Sequence, residues 1–256
     1  METKIIKQIR EKHPIIHCIT NPVTVNDCAN ILLAIGASPT MAHHIQEVEE
    51  ITTGCNALVC NLGATDDFDS MTLAIKQSNL CNHPVIIDPV GISGSTYRRN
   101  KLIELINTTH IDCIRGNYSE IHSLINNRYK HTGVDASKED ELHRDKLLSK
   151  MKEYASKYHL ILIASGKIDL ITDGNKSYVA FGGHEIMSRI TGTGCMSSAL
   201  LGAVLAVDNS VQAAQWLCAY MKETGEVAYE QTERLHGGTM TFREQLIDKV
   251  AKDCGF

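Results

Sequence analysis

What most constrains this chain is a repeated order: a short, largely apolar run followed by a segment with helical spacing. The runs are Asn56–Cys60 (NALVC), Val85–Ile87 (VII), Ile111–Ile114 and Leu160–Ala164 (LILIA). Strands covered on both faces read this way, whereas half-exposed strands alternate apolar and polar residues. Between the runs lie helix candidates. Val25–Ile35 puts Cys28, Ile31, Leu32 and Ile35 on one face, with Thr24 in the N-cap position and Gly36 as the stop. Asp67–Gln77, Lys101–Ile106 and Glu141–Tyr158 follow the same logic. A β-then-α repeat implies an α/β fold with a mainly parallel sheet wrapped by helices.

One segment breaks the repeat. Asp169–Thr172 and Lys176–Phe181, joined through Asp173-Gly174, read as a β-hairpin at the sheet edge. The remainder is helical in pattern: Cys195–Val207, then Val211–Glu230 and Met240–Lys252. The first of these is rich in Ala, Gly and Ser, which lets it approach other backbone closely. No Pro/Ser-rich linker, low-complexity tract or internal repeat divides the 256 residues, so one domain spanning 1–256 is expected.

Composition narrows the partners. Aromatic residues at 5% offer few stacking platforms for single-stranded nucleic acid, and a net charge of −5 supplies no positive field for nucleic acid or anionic membrane. The nine cysteines are odd in number and scattered, with no C-x-x-C, so they read as small buried apolar residues in a reducing compartment. Met1–Arg10 lacks the apolar core of a secretory signal. The longest apolar stretch, Ala199–Val207, is interrupted by Gly202 and is too short to span a bilayer. A cytoplasmic protein is expected. Among the twelve histidines, His13 and His17 lie four apart, but Pro14 between them rules out a regular helix that would aim both at zinc. They and the adjacent His43 and His44 are expected to be solvated or in turns.

The segment richest in chemistry is Arg189–Ala199 (RITGTGCMSSA). Gly192-Thr193-Gly194 runs into a small-residue helix, where backbone N–H groups and the positive helix end can cradle a phosphate. By itself this equally fits a glycine-rich turn capping a buried helix. Asp88-Pro89-Val90-Gly91 follows a buried run, placing Asp88 at a strand's C-terminal end, the edge where ligands bind in open α/β sheets. A carboxylate there can hold Mg²⁺ or simply cap the turn. Arg115-Gly116-Asn117, with Glu120 in the first turn of the next helix, adds a guanidinium that can grip phosphate oxygens and a second carboxylate. For Glu120 the plainer reading is a favourable helix-dipole interaction. Ser165-Gly166 ends the fourth strand. Four strand ends are thus expected to deliver an anion cradle and a cation-holding carboxylate pair to one edge, the parts that phosphoryl transfer requires.

In this order the motifs resemble the hydroxyethylthiazole kinase family, a branch of the ribokinase-like kinases. The resemblance runs almost end to end: Asn21-Pro22-Val23-Thr24 through Ala29-Asn30, Leu32–Ala42 (LLAIGASPTMA), Asp88-Pro89-Val90-Gly91, Arg115-Gly116-Asn117 with Glu120, and Gly192-Thr193-Gly194-Cys195. It implies a ribokinase-like three-layer α/β/α fold and transfer of phosphate from ATP to the hydroxyl of 4-methyl-5-(2-hydroxyethyl)thiazole, a step in thiamine biosynthesis and salvage. It implies that Met41 and Gly192 contact the thiazole, that Arg115 and Ser165, with Asn117 beside them, contact ATP, and that Asp88 and Glu120 organise Mg²⁺. A homotrimer with pockets between subunits is also implied, with Asn21 and Val23 lining a neighbour's pocket. The chain departs from the family pattern after Gly91, where Ile92-Ser93-Gly94-Ser95-Thr96 stands in place of Ala-Gly-Ala-Thr.

Many sugar kinases of the wider superfamily carry Asp at the position of Cys195. A helix N-terminus lowers a thiol's pKa while neighbouring phosphates raise it. Little base help is needed in a loose phosphoryl-transfer transition state, so Thr193 and Gly194 are expected to contribute mainly by positioning, and Cys195 only modestly as a base. The rivals are a kinase for another vitamin-precursor alcohol such as hydroxymethylpyrimidine, an ATP-dependent lyase on the same scaffold, and a nucleotide-sensing binding protein without turnover. The first two would usually carry Asp in place of Cys195.

Overall fold

The computed structural model describes residues 2–126 and 138–256, with backbone alone for residues 2–3 and 138–143. In chain order the elements are α1 (Glu2–Lys12), β1 (Ile15–Ile19), α2 (Val25–Ala34), β2 (Ser38–Thr40), α3 (Val48–Thr53), β3 (Ala57–Asn61), α4 (Phe68–Cys81), β4 (Val85–Asp88) and α5 (Thr96–Thr108). There follow β5 (Cys113–Asn117), α6 (Tyr118–Asn126), α7 (Lys138–Tyr158), β6 (Ile161–Ser165), β7 (Asp169–Thr172), β8 (Ser177–Ala180), α8 (Thr193–Val207), α9 (Val211–Arg234) and α10 (Thr239–Asp253). The strands form one sheet in the order β2-β1-β3-β4-β5-β6-β7-β8. Neighbours from β2 to β6 are parallel, and β7 and β8 add the antiparallel hairpin at one edge.

Period-two alternation divides the core between the sheet's two faces. In β3, Ala57 and Val59 join one apolar cluster and Leu58 and Cys60 the other; in β4, Ile86 faces the first, and Val85 and Ile87 the second. The first cluster is completed by Ile5 and Ile9 of α1, Ile31 and Leu32 of α2, Leu200 and Val204 of α8, Leu217 of α9 and Phe242 of α10. The second takes Met71 and Ile75 of α4, Leu102 and Leu105 of α5, Ile121 of α6 and Met151 of α7. Helices therefore cover both faces, as the continuous apolar runs require. Gly202 lets α8 settle on the sheet: a Cβ there would stand 2.7 Å from Val59 Cγ2 and 2.9 Å from Ile16 Cγ2.

Two strands escape the sequence pattern. β1 (IIHCI) is interrupted by His17, and β2 (SPT) is three residues long and carries Pro39 at the sheet's outer edge, where no central ladder is broken. His17 corrects the expectation of a solvated histidine, since it is 0% exposed. Its Nδ1 pairs with Thr52 Oγ1 at 2.9 Å and its Nε2 with the Ala42 carbonyl at 2.8 Å. Burial lowers its pKa, which keeps the ring neutral, so it acts as a strut between β1 and the segments after β2. Pro14 behaves as expected: α1 ends before it, and His13 takes φ +46°. All nine cysteines are free thiols, and all but Cys81 and Cys195 are buried. Among the described residues no helix is long and apolar enough to cross a membrane.

Candidate active site

Parallel strands end together, so their last residues share one rim. Asn61 of β3 is the register partner of Asp88 of β4, and Asn117 of β5 that of Ser165 of β6. Asp88 is 4% exposed. Its Oδ2 accepts hydrogen bonds from Asn61 Nδ2 and Ser198 Oγ, both at 3.0 Å. Burial pushes its pKa up to about 6; Arg115 pulls it down, the charge of Glu120 adds to the rise, and the Ser198 and Asn61 bonds oppose it. This is a carboxylate held at the edge of ionisation, where a nearby cation would commit it to the charged form.

Glu120 sits beside it with different partners. Its Oε1 accepts from the Gly91 N–H and its Oε2 from the Asn117 N–H, each at 2.9 Å. Asn117 Oδ1 accepts in return from the Glu120 N–H at 2.9 Å. Asn117 and Glu120 thus form a reciprocal capping box at the start of α6. Burial raises the Glu120 pKa, while the two N–H bonds and Arg115 lower it. Gly116 makes the arrangement possible, because a Cβ there would lie 2.8 Å from Pro89 Cγ and 3.1 Å from Glu120 Oε2. In the divergent loop after Gly91, Ile92 is fully buried, Ser95 caps α5 by accepting from the Arg98 N–H, and Arg98 and Arg99 donate to the Val90 and Ile92 carbonyls.

The Gly192–Cys195 segment comes not from a strand end but through a short 3₁₀ helix, Glu185–Ser188, that follows the hairpin. Gly192 takes φ +95°, a left-handed turn that starts α8 against Thr24 and Asp27 of the α2 entry. Thr193 Oγ1 donates to the Met187 carbonyl at 2.9 Å, and Arg115 Nη1 donates to the Gly194 carbonyl at 3.1 Å. Arg115 therefore joins the end of β5 to the first turn of α8. Cys195 is half-buried, and its Sγ accepts from Asn61 Nδ2 at 3.2 Å and Asn21 Nδ2 at 3.7 Å. Burial raises the Cys195 pKa, Asp88 raises it further, and Thr24, Asn21 and Arg115 oppose the rise. Raised above the ordinary thiol value, the group is a thiol and not a thiolate at neutral pH.

Asp88, Glu120, Arg115, Gly194 and Cys195 are thus one connected cluster. Ser165 Oγ borders it, donating to the Gly116 carbonyl at 3.2 Å. Asn21 reaches the Cys195 of its own chain. Val23 is 70% exposed, and Met41 packs half-buried on the first apolar cluster. Sequence reasoning passed over Asn61 and Ser198, which both donate to Asp88 Oδ2. Asn61 was the more legible, as the polar residue closing an apolar run two positions before Gly63, whose N–H it accepts at 2.8 Å.

The donor chemistry fits Mg²⁺. Asp88 and Glu120 are hard oxygen groups close enough to feel each other's charge. An ion that keeps its waters and leans on phosphate needs only one or two protein carboxylates.

The fold defines the class. A ribokinase-like superfamily protein of Enterococcus faecalis V583 superposes with a TM-score of 0.66 over 99% of this chain and 95% of its own, at 9% identity, a likeness of fold alone. The chain therefore has a ribokinase-like α/β fold, with its charged cluster at the C-terminal rim of the sheet. The Hydroxyethylthiazole kinase family model matches residues 6–253. A hydroxyethylthiazole kinase of Clostridium botulinum (strain Eklund 17B / Type B) is 40% identical over 253 residues, 97% of this chain and 90% of that one. The solved structure of the hydroxyethylthiazole kinase protein from Pyrococcus horikoshii OT3 has a TM-score of 0.83 at 30% identity, covering 98% of this chain and 92% of that one. The chain belongs to the hydroxyethylthiazole kinase family.

Proposed function

We propose that this protein phosphorylates the hydroxyl of 4-methyl-5-(2-hydroxyethyl)thiazole with ATP, a step of thiamine biosynthesis and salvage. Family membership supports the reaction, and one observation carries the site: a hydrogen-bonded path from Asp88 through Asn61 to Cys195, closed by Arg115 on Gly194. In this reading Gly192, Thr193 and Gly194 present N–H groups and a helix end to the transferring phosphoryl group. Arg115, Ser165 and Asn117 contact ATP, and Asn117 also sets the turn at the start of α6. Met41, Gly192, Asn21 and Val23 frame the thiazole. Asp88 and Glu120 hold Mg²⁺, Asp88 the more directly, because both Glu120 oxygens already take backbone N–H bonds. Bound there, Mg²⁺ would neutralise charge on the phosphates. Asn61 orients both the Asp88 carboxylate and the Cys195 sulfur. As a thiol, Cys195 offers little base strength, so orientation of the substrate hydroxyl does most of the work.

The protein works as one domain of residues 1–256, in the cytoplasm, and as a homotrimer. An apolar groove between α2 and α10, with Leu33 56% and Phe256 74% exposed at its margin, is surface that a subunit contact would cover.

The decisive assay is ATP consumption with the thiazole alcohol, with and without Mg²⁺, reading phosphate on the hydroxyethyl oxygen by phosphorus NMR. Higher kcat/KM for hydroxymethylpyrimidine would move the substrate assignment. Tight ATP binding with no alcohol phosphorylated would leave a nucleotide sensor instead.

A further inference from the structure

Lys222 of α9 is 6% exposed, and its ammonium is surrounded by backbone carbonyls. Nζ donates to the Gly166 carbonyl at 3.0 Å, the Lys167 carbonyl at 3.2 Å and the Gly182 carbonyl at 3.4 Å. It also pairs with Asp169 Oδ1 at 3.2 Å, and that same oxygen accepts the Gly166 N–H at 2.9 Å. One charge therefore grips two separate loops. The first, between β6 and β7, begins at Ser165. The second starts after β8 at Gly182 and leads through Glu185–Ser188 to Gly192.

Further contacts from α9 fasten the second loop. Glu226 Oε1 accepts the Gly183 N–H at 2.9 Å. The Tyr229 ring stacks on His184 at 3.5 Å between centroids and 12° between planes. Gly225 leaves a notch filled by Met187, whose Sδ would lie 2.4 Å from a Cβ at that position. The Met187 carbonyl in turn receives the Thr193 hydroxyl. A continuous set of contacts thus runs from Lys222 to the first turn of α8.

Stability alone does not explain a buried ammonium here. A buried ion pair seldom outperforms apolar residues of the same volume, because desolvation offsets the attraction. What the ammonium adds is geometry: three donors on a point charge collect carbonyls from different chain segments, which a planar guanidinium does less well.

We propose that Lys222 is a positioning residue that sets the separation between the Ser165–Asp169 loop and the Gly182–Gly194 segment, and so shapes the ATP side of the site. The proposal rests on the reading above that ATP lies against Ser165 and the Gly192–Cys195 turn.

The test is steady-state kinetics on Lys222→Met, Lys222→Arg and the pair Lys222→Met with Asp169→Leu, beside Ser165→Ala. The Met variants should raise KM for ATP about tenfold and leave KM for the alcohol within about twofold, as expected of a displaced positioning group. The Arg variant should recover part of the loss. Unchanged KM for ATP in a folded Met variant, single or paired, overturns the proposal. If Ser165→Ala raises KM for ATP while the Lys222 variants do not, only this inference fails; if none of them moves it, the ATP reading fails as well. Should neither Met variant fold, amide exchange on the wild-type protein decides. ATP should protect residues 166–169 and 182–184 together, and protection of one segment without the other, or of neither, overturns the coupling.

Discussion

At the N-terminal ends of the strands, Asn56 Oδ1 accepts the Ile15 N–H at 2.8 Å, and Asp112 Oδ2 accepts the Val85 N–H at 2.9 Å. Asn209 completes Asp112 through its other oxygen at 2.8 Å. At the C-terminal ends, Asn61 and Asp88 are the same residue types, yet Asp88 takes its bonds only from side chains and lies next to a thiol, a guanidinium and a second carboxylate. The lower rim uses polar side chains to finish the ladder. The upper rim uses them to hold charge in reserve. Glu120 belongs to both kinds, since it closes two backbone N–H groups while standing in the field of Asp88 and Arg115. A carboxylate is marked as chemical less by its burial than by who satisfies it.

That contrast breaks if Asp88→Asn and Asp112→Ala behave alike. Asp88→Asn should lower kcat by about 10²–10³-fold in the alcohol phosphorylation assay, the scale of losing a preorganised charge, with the thermal midpoint little changed. Glu120→Gln replaces one acceptor by an amide donor that faces an N–H. It should lower kcat about 10–100-fold, the range for groups supporting a metal site, and cost about 1–3 kcal/mol of stability in urea unfolding.

Protonation sharpens the same contrast. With Asp88 titrating at about 6 in the folded protein, kcat/KM should fall about tenfold between pH 7 and pH 5. The stability effect has the opposite sense. A carboxyl whose folded pKa is raised binds its proton more tightly when folded, so its contribution to stability declines as pH rises from about 4 to about 6, then levels off. The difference in urea midpoint between wild type and Asp88→Asn, followed across that window, should show this slope. A flat difference would mean that Asp88 is ionised throughout.

Smaller effects are expected elsewhere. Cys195→Ala and Cys195→Ser should keep measurable turnover, with kcat down about tenfold or less, below the usual range for a general base. Complete loss with ATP and substrate binding intact would restore the thiol as the base. Asp112→Ala should cost about 1–3 kcal/mol in unfolding and leave kcat within about twofold, because it strands an N–H far from the cluster.

The helix-covered sheet was legible because β3, β4 and β6 are short, largely apolar runs and β5 opens on Cys113-Ile114, and the hairpin because Asp173-Gly174 marks its turn. β1 and β2 were not, because a buried polar His17 and a proline-bearing edge strand of three residues carry no run. Asp88, Arg115 and Glu120 were legible as polar residues near strand ends, whereas the Gly192–Cys195 turn reaches the same rim through the 3₁₀ helix Glu185–Ser188 and not from a strand. The spacing Asn117-x-x-Glu120 also carries the capping box that the structure forms. Asn61 and Ser198 were invisible as a pair, since nothing along the chain says that they close on one carboxylate.

By itself the sequence determined the family, the parallel core and the edge hairpin, because periodicity, turn residues and motif order are local properties of the chain. Tertiary structure alone decided that burial raises the Cys195 thiol's pKa, that burial pushes Asp88 up to about 6, and that one lysine on α9 ties two loops together. Those outcomes depend on desolvation and on partners 110 and 174 positions away, Ser198 for Asp88 and Asn21 for Cys195. Charge and solvation act through space, and the distances that govern them exist only once the chain has folded.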